Sequence, residues 1–138
     1  MKYRLILATM FVLAMGSSAF GQVANGSFEN GNCFSPFTYV PAGNSFISGW
    51  SVGGNSVDLI CGLWQASDGT RSVDLSGGGA GSIAQTLTTE AGLNYEISFD
   101  LSGNPDGNPG NKTLSVSAGS TPSEVYTFNT IDMANSRT

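Results

Sequence analysis

Short runs of alternating apolar and polar residues, separated by glycine-rich turns, recur along this chain and restrict the folds open to it. The clearest run is "NYEISFDL", residues 94–101, in which four apolar side chains alternate with four polar ones. A two-residue period places successive side chains on opposite faces of a strand. Shorter runs of the same kind are "SVDLI", "RSVDL", "SIAQTL", "KTLSVSA" and "VYTF".

The breaks between these runs have the composition of tight turns. They read "SDGT", "SGGGAG", "TEAGLN" and "GNPDGNPGN", rich in the glycine, asparagine, aspartate and proline that favour turns. Many short strands joined in this way are typical of an antiparallel β-sandwich, with one dry and one wet face per sheet. The 138 residues suffice for one domain. The sequence therefore predicts an all-β, antiparallel β-sandwich.

The N-terminus has the pattern of a secretory signal peptide. Lys2 and Arg4 precede an apolar run over residues 5–14, and small residues follow up to Gly21. The run is shorter than the roughly 20 residues that a membrane-spanning helix needs. We therefore predict a signal peptide over residues 1–21 and a β-sandwich domain over residues 22–138.

The charge of the mature chain is strongly negative. Without residues 1–21, three basic residues stand against ten acidic ones, a formal net charge of −7. Such a surface repels phosphate backbones and anionic lipids, which argues against nucleic acid as a partner. An acidic balance fits cation binding or simple solubility.

Cys33 and Cys61 are the two cysteines of the chain. In an exported protein an even pair favours a disulfide, because free thiols oxidise outside the cell. The alternative is two buried thiols.

The residue types present exclude most catalytic sites. The chain has no histidine, so it lacks the base of a Ser–His or Cys–His pair, and two cysteines cannot form a four-thiolate zinc site. Asp58, Asp74 and Asp100 lie on polar strand faces, where two carboxylates about 5–10 Å apart would permit glycoside hydrolysis. Solvated strand faces carry such residues routinely, so we predict that the chain is not an enzyme.

The two tryptophans are candidates for the core or for ligand contact. Trp50 leads directly into a strand, which favours the core, whereas Trp64 precedes the turn "SDGT" and is the better candidate for an exposed platform that stacks on sugar rings. Trp64, Asp58 and Arg71 are the candidate ligand-binding residues.

Six blocks of sequence occur in an order that resembles a known family. They are "NGSFENG", "ISGWSV", "SVDLI", "WQASDGTRSVDLSG", "GSIAQTLTT" and "YEISFDLSGNPDG", and they cover about residues 23–128. This order resembles the choice-of-anchor C family of bacterial surface proteins, which is similar to the DUF642 family of plant cell-wall proteins. Both resemble galactose-binding-like jelly rolls.

The resemblance implies an exported, noncatalytic β-sandwich, and the plant relatives are associated with wall polysaccharides. Later strands and a C-terminal anchor are expected after Phe128 but no matching pattern follows. The resemblance therefore implies a domain that is incomplete at its C-terminus, truncated after about residue 128.

The first block also implies a metal site. Related carbohydrate-binding jelly rolls begin with "NGxFExG", whose glutamate often helps to hold a structural calcium ion. By this resemblance Phe28 anchors the first strand in the core, and Glu29 and Asn25 are candidate calcium ligands. The alternative is that Glu29 only accepts hydrogen bonds from turn amides.

These observations predict a secreted carbohydrate-binding or cell-surface interaction module whose partner is a polysaccharide or surface glycan. The alternative is a structural surface or matrix protein with no sugar ligand. Retention on polysaccharides distinguishes the two.

Overall fold

The computed structural model describes residues 23–104, 106 and 110–130, which form seven β-strands and no helix. The strands are β1 (Phe37–Pro41), β2 (Ser51–Gly54), β3 (Ser56–Cys61), β4 (Arg71–Asp74), β5 (Gly81–Ala84), β6 (Asn111–Val116) and β7 (Glu124–Asn129). They pair antiparallel in three sheets, β1-β3-β4, β2-β5 and β6-β7. The predicted all-β, antiparallel fold is confirmed, and the arrangement is consistent with a β-sandwich.

Some predictions concern residues or a fold subtype that the described residues do not test. The predicted signal peptide, residues 1–21, lies outside the described residues, as do residues 131–138. The jelly-roll subtype stays a prediction. Within the described part of the chain, no helix is long and apolar enough to cross a membrane.

Strand β3 is the centre of the largest sheet and is buried on both faces. Val57 and Leu59 point to one side and Ser56 and Ile60 to the other, and all four are at most 2% exposed. Burial on both faces explains why "SVDLI" alternates less cleanly than the other runs, since a strand covered on both sides carries apolar residues on both.

The main core lies between the first sheet and the β2-β5 sheet. Its buried members are Phe28, Val40, Ile47, Trp50, Val52, Val57, Leu59 and Val73. Burying one such side chain stabilises the fold by about 1.5–3 kcal/mol. Trp50 is 7% exposed, and its ring centroid lies 5.6 Å from that of Phe28. Trp50 and Phe28 are therefore core residues, as predicted, although Phe28 lies outside the strands rather than in the first one.

A disulfide joins Cys33, before β1, to Cys61, at the end of β3. The two Cα atoms lie 5.8 Å apart, within the usual range for such a bond. Both half-buried cysteines pack against the main core. The prediction of a disulfide rather than two free thiols is confirmed.

Residues 94–101, the run with the clearest alternation, form no strand. Between β5 and β6 the described residues have only single bridge positions, at Asp100 and Gly103. Leu101 is 6% exposed but Ile97 is 37% exposed, so the four apolar side chains are not buried alike. A period-two pattern selects which side chains share a face, but a strand also needs a neighbouring backbone in register. The prediction of a strand here is wrong for that reason.

Candidate functional site

Glu29 holds the turn that leads into β4. Its Oε1 accepts hydrogen bonds from the backbone amides of Thr70, at 2.6 Å, and Arg71, at 2.9 Å, and its Oε2 accepts one from the Thr70 hydroxyl at 2.9 Å. Gly69 approaches the carboxylate so closely that a Cβ there would collide with it. Glu29 therefore accepts turn amides, as the alternative interpretation stated.

The same contacts set the ionisation of Glu29. Partial burial raises the pKa of this carboxyl, but the Thr70 amide and hydroxyl, the Arg71 amide and the Arg71 charge outweigh it and lower the pKa overall. Arg71 Nε lies 3.9 Å from Oε2, and Arg71 Nη1 donates to the Gly31 carbonyl at 3.2 Å. The guanidinium of Arg71 is thus committed to the N-terminal segment, which leaves it poorly placed for the ligand role predicted for it.

Asn25 organises the turn at the start of the described chain. Its side-chain amide donates to the carbonyls of Asn30 and Ser48, both at 2.8 Å, and its Oδ1 accepts from the Asn30 amide. The Asn25 carbonyl accepts the indole N–H of Trp50 at 3.0 Å. Asn25 and Phe28 have φ of 53° and 62°, a left-handed conformation that is uncommon outside glycine.

Protein donors already occupy the side-chain oxygens of Glu29 and Asn25. The carboxylate oxygens of Glu29 face N–H and O–H donors and a guanidinium, whereas calcium takes six to eight oxygen ligands. Among the described residues, no group of three or more histidine, cysteine, aspartate or glutamate side chains could hold a metal ion. Calcium binding by Glu29 and Asn25 stays a prediction, and no further step of the function is derived from it.

Trp64 is not the exposed platform that its position before a turn predicted. Its side chain is 8% exposed, and its indole N–H donates to Asp106 Oδ2 at 3.0 Å. An indole buries a large apolar area once its one polar atom has a partner, which explains the inward position. The prediction of exposure is therefore wrong.

A pair of exposed aromatic rings lies instead on β1, an edge strand that the sequence patterns did not identify. Phe37 and Tyr39 are 45% and 51% exposed, while Thr38 and Val40 between and after them are buried. Alternate residues of a strand share a face, so both rings point outward together. The signal that could have located them is "FTYVP", in which two aromatic residues alternate with β-branched ones.

Carboxylates lie beside these rings on the same face. The register places Asp58 of β3 directly opposite Tyr39, and Asp74 of β4 directly opposite Asp58. Burial first, and then the neighbouring Asp74 carboxylate, raise the pKa of Asp58. Of the candidate ligand residues, the structure thus places Asp58 beside an exposed ring and separates it from Trp64 and Arg71.

The two carboxylates are held differently. Within the described part of the chain, Asp58 Oδ1 is buried and has no hydrogen-bond partner. Asp74 accepts from the Ser76 amide at 2.8 Å and from the Asn104 side-chain amide at 2.7 Å, one bond at each oxygen. A pair of acids for glycoside hydrolysis needs oxygens that reach the substrate from both residues. Asp100 is not part of this pair, and its Oδ2 accepts a hydrogen bond from the Ser67 hydroxyl.

The glycine run 77–79 packs over this face. A Cβ on Gly77 would lie 3.0 Å from Asp58 Oδ1, and one on Gly78 would lie 3.3 Å from a ring carbon of Tyr39. The Gly78 amide donates to the Ser56 hydroxyl at 2.8 Å, which fixes the run in place. The face thus consists of Phe37, Tyr39, Asp58, Asp74 and residues 77–79, and we call it the β1 face.

A second concave surface, a cleft of about 1090 Å³, lies between β4, β5 and β6. Its lining is mainly apolar and includes Leu75, Leu114, Phe99 and Phe128 together with Asp74. The rings of Phe99 and Phe128 are half-buried, whereas Phe37 and Tyr39 are exposed together on one strand face and present flat surfaces to solvent. The β1 face is therefore the better candidate for a sugar ligand.

Comparison with known proteins gives one family and one relative. The family model described as "Protein of unknown function (DUF642)" matches residues 21–137. Halomucin of Haloquadratum walsbyi (strain DSM 16790 / HBSQ001) is 38% identical over 104 residues, which is 72% of this chain and 1% of halomucin. The chain thus spans about 1% of the length of that relative. No solved structure matches the chain.

Proposed function

This chain belongs to the DUF642 protein family, and we propose that it is an exported, non-catalytic surface module that binds carbohydrate through the β1 face. Its membership of the choice-of-anchor C group is part of the same proposal. The observation that carries it is the outward-facing pair of rings, Phe37 and Tyr39, with the Asp58 carboxylate opposite Tyr39.

The chemistry of the β1 face supports a sugar ligand. Flat aromatic rings stack on the apolar C–H faces of sugar rings, and large apolar groups left together in water generally mark an interaction surface. Since Oδ1 of Asp58 is buried, this carboxylate would accept hydrogen bonds from sugar hydroxyls through Oδ2. Such charge-assisted bonds are stronger than neutral ones.

The negative charge of the β1 face favours an uncharged ligand over an anionic one. Asp58 and Asp74 put negative charge on the β1 face, and Arg71 is paired with Glu29. With ten acidic residues in the chain, anionic polysaccharides are repelled at low ionic strength. We therefore expect an uncharged polysaccharide.

Export is supported by the Cys33–Cys61 disulfide, because such bonds persist in oxidising compartments. The signal peptide predicted over residues 1–21 belongs to the same proposal.

The test is retention of the purified protein on a panel of insoluble neutral and anionic polysaccharides. Tyr39→Ala is expected to reduce retention on the neutral members about tenfold, because a lost ring stack is worth about 0.5–1.5 kcal/mol in addition to the apolar area. Its melting temperature should fall only slightly, since half of the ring is exposed to solvent. Val125→Ala, at a residue 61% exposed on β7, is the matched control and should bind like the parent.

Retention of Tyr39→Ala at the parent level would place the site elsewhere and contradict the β1 face. A parent protein that no polysaccharide retains would contradict carbohydrate binding altogether. That outcome would favour the alternative, a structural surface or matrix protein without a sugar ligand.

A further inference from the structure

Two asparagines of the chain stand in the pattern that accepts N-linked glycans in exported proteins, Asn-X-Ser/Thr with X other than proline. One is Asn25, in "NGS", and the other is Asn111, in "NKT". The sequence does not indicate which of the two can accept a glycan in the folded protein. The structure distinguishes them, because one side-chain amide is engaged in the fold and the other is exposed.

The amide of Asn25 is fully engaged in the fold. Nδ2 carries two hydrogens, and they are donated to the carbonyls of Asn30 and Ser48. A glycan on Nδ2 would replace one of these hydrogens and force a bulky group between the turn and the segment at Ser48. The folded protein therefore cannot accept a glycan at Asn25 without opening this turn.

Asn111 is open. It is the first residue of β6, and it, Lys112 and Thr113 are all exposed. Residues two apart on a strand share a face, so Asn111 and the Thr113 hydroxyl that the pattern requires lie on the same side. The residue before Asn111 is Gly110, with φ of 139°, at the end of a polar loop.

We propose that Asn111 is an N-glycosylation site of the folded protein and that Asn25 is not. The donor is a lipid-linked oligosaccharide, used by an oligosaccharyltransferase of the exporting cell. The bond formed joins Nδ2 of Asn111 to the anomeric carbon of the glycan. The bond broken joins that carbon to the lipid phosphate, which leaves with the electron pair, and Nδ2 loses one proton. No group is oxidised or reduced.

The location gives the glycan a physical consequence. Asn111 shares its face of the β6-β7 hairpin with Ser115, and Ser115 lies opposite Val125, which is 61% exposed. A hydrated glycan on this face would cover an exposed apolar side chain on the edge of a two-stranded sheet. The β1 face, on a different sheet, would stay clear.

The test is transfer in vitro, with a purified oligosaccharyltransferase and a lipid-linked oligosaccharide acting on the folded, disulfide-bonded full chain. Intact mass is expected to rise by one glycan, and peptide mapping should place it at Asn111. Thr113→Ala should abolish transfer. Ser27→Ala, which removes the first pattern but keeps the Asn25 side chain, should leave one glycan as in the parent.

The reduced and denatured chain is the second substrate. It should receive two glycans, since neither asparagine is then protected by the fold. Transfer to Asn25 in the folded protein would overturn the proposal, and so would the absence of transfer to Asn111 in the folded protein. A denatured chain that accepts nothing would equally contradict it.

Discussion

The carboxylate of Glu29 links two segments that are far apart in the sequence. It accepts hydrogen bonds from Thr70 and Arg71, which lie 41 and 42 residues further along the chain. Hydrogen bonds to a charged acceptor contribute about 1.5–3 kcal/mol, more than neutral ones. The exposed ion pair with Arg71 adds little by comparison.

Glu29→Gln is expected to lower the free energy of unfolding by about 1–2 kcal/mol at neutral pH, because the neutral side chain has one acceptor oxygen and an amide that faces donors. The pKa of Glu29 is lowered in the folded state, so its contribution is fully present above the ordinary value of 4.5 and is lost as pH falls through the folded pKa. Urea denaturation of parent and variant at pH 7 and in acid measures both effects.

Glu96→Gln, at an exposed position, is the control and should match the parent at each pH. A difference between Glu29→Gln and the parent that persists undiminished in acid would contradict the assignment, because the charge of Glu29 would then not be its cause.

Some of these contacts could not be read from the residues alone. The pattern "NGSFENG" left two roles open for Glu29, a calcium ligand or an acceptor of turn amides, and the structure shows the hydrogen bonds from the amides. The sequence does not reveal that the amides belong to residues 70 and 71, because that contact depends on how the strands between them fold back. Nor does it reveal that Phe28 has a left-handed backbone, since non-glycine residues rarely do.

Some glycines are required because two strands approach so closely that no larger residue fits between them. Gly81, the first residue of β5, is an example, because a Cβ there would collide with the Ser56 carbonyl and lie 2.9 Å from a methyl group of Val57. The close approach of β5 to β3 therefore requires glycine at this position, independently of backbone conformation. The neighbouring run 77–79 makes the same kind of approach to Asp58 and Tyr39.

Gly81→Ala is expected to destabilise the protein by about 2–3 kcal/mol, since the added methyl group must push β5 away from β3. Gly62→Ala is the control: its φ of 87° makes alanine unfavourable, but nothing lies near the new methyl group. That variant should lose about 1 kcal/mol. Thermal or urea denaturation ranks the two, and a loss at Gly81 no greater than at Gly62 would contradict the close packing of β3 and β5.

The strand patterns located most of the elements. The runs "SVDLI", "RSVDL", "SIAQTL", "KTLSVSA" and "VYTF" correspond to β3 to β7. β1 and β2 were missed, since "SVGG" has too few apolar residues to show a period, and the outward aromatics of β1 resemble a core pattern. The run at 94–101 was wrongly predicted, because pairing depends on a neighbouring backbone that a local pattern does not contain.

The disulfide acts on the whole molecule. It joins residues separated by 28 positions and closes the loop that contains β1, β2 and β3. By the chain-entropy model, a loop of this length stabilises the folded state by about 3–4 kcal/mol, mainly by restricting the unfolded chain. That is a large part of the roughly 5–15 kcal/mol that a small domain has in total.

The double variant Cys33→Ala/Cys61→Ala is therefore expected to lose about 3–4 kcal/mol of unfolding free energy and to melt well below the parent. Reduction of the parent by dithiothreitol should give a similar loss, which separates the cross-link from the packing of the alanine side chains. A double variant as stable as the parent would show that the loop is already restricted without the bond.

The candidate site is also a property of the whole molecule. Asp58 was a candidate from the sequence, but its neighbours Tyr39 and Asp74 are set by strand register, and Trp64 and Arg71 are drawn away by partners far along the chain. The residue types of the site can be predicted from composition and spacing. Which of these residues lie next to one another is determined by the strand register of the sheet.

The long reach of the N-terminal turn has a consequence for how the chain folds as it is made. Ala24 exchanges two hydrogen bonds with the side chain of Gln85, 61 positions later, so the segment around Ala24 is synthesised well before its partner. Contacts between distant positions slow folding, because a long loop must close before any of them forms. The polar, glycine-containing composition of this segment suits a stretch of chain that must remain hydrated during that delay.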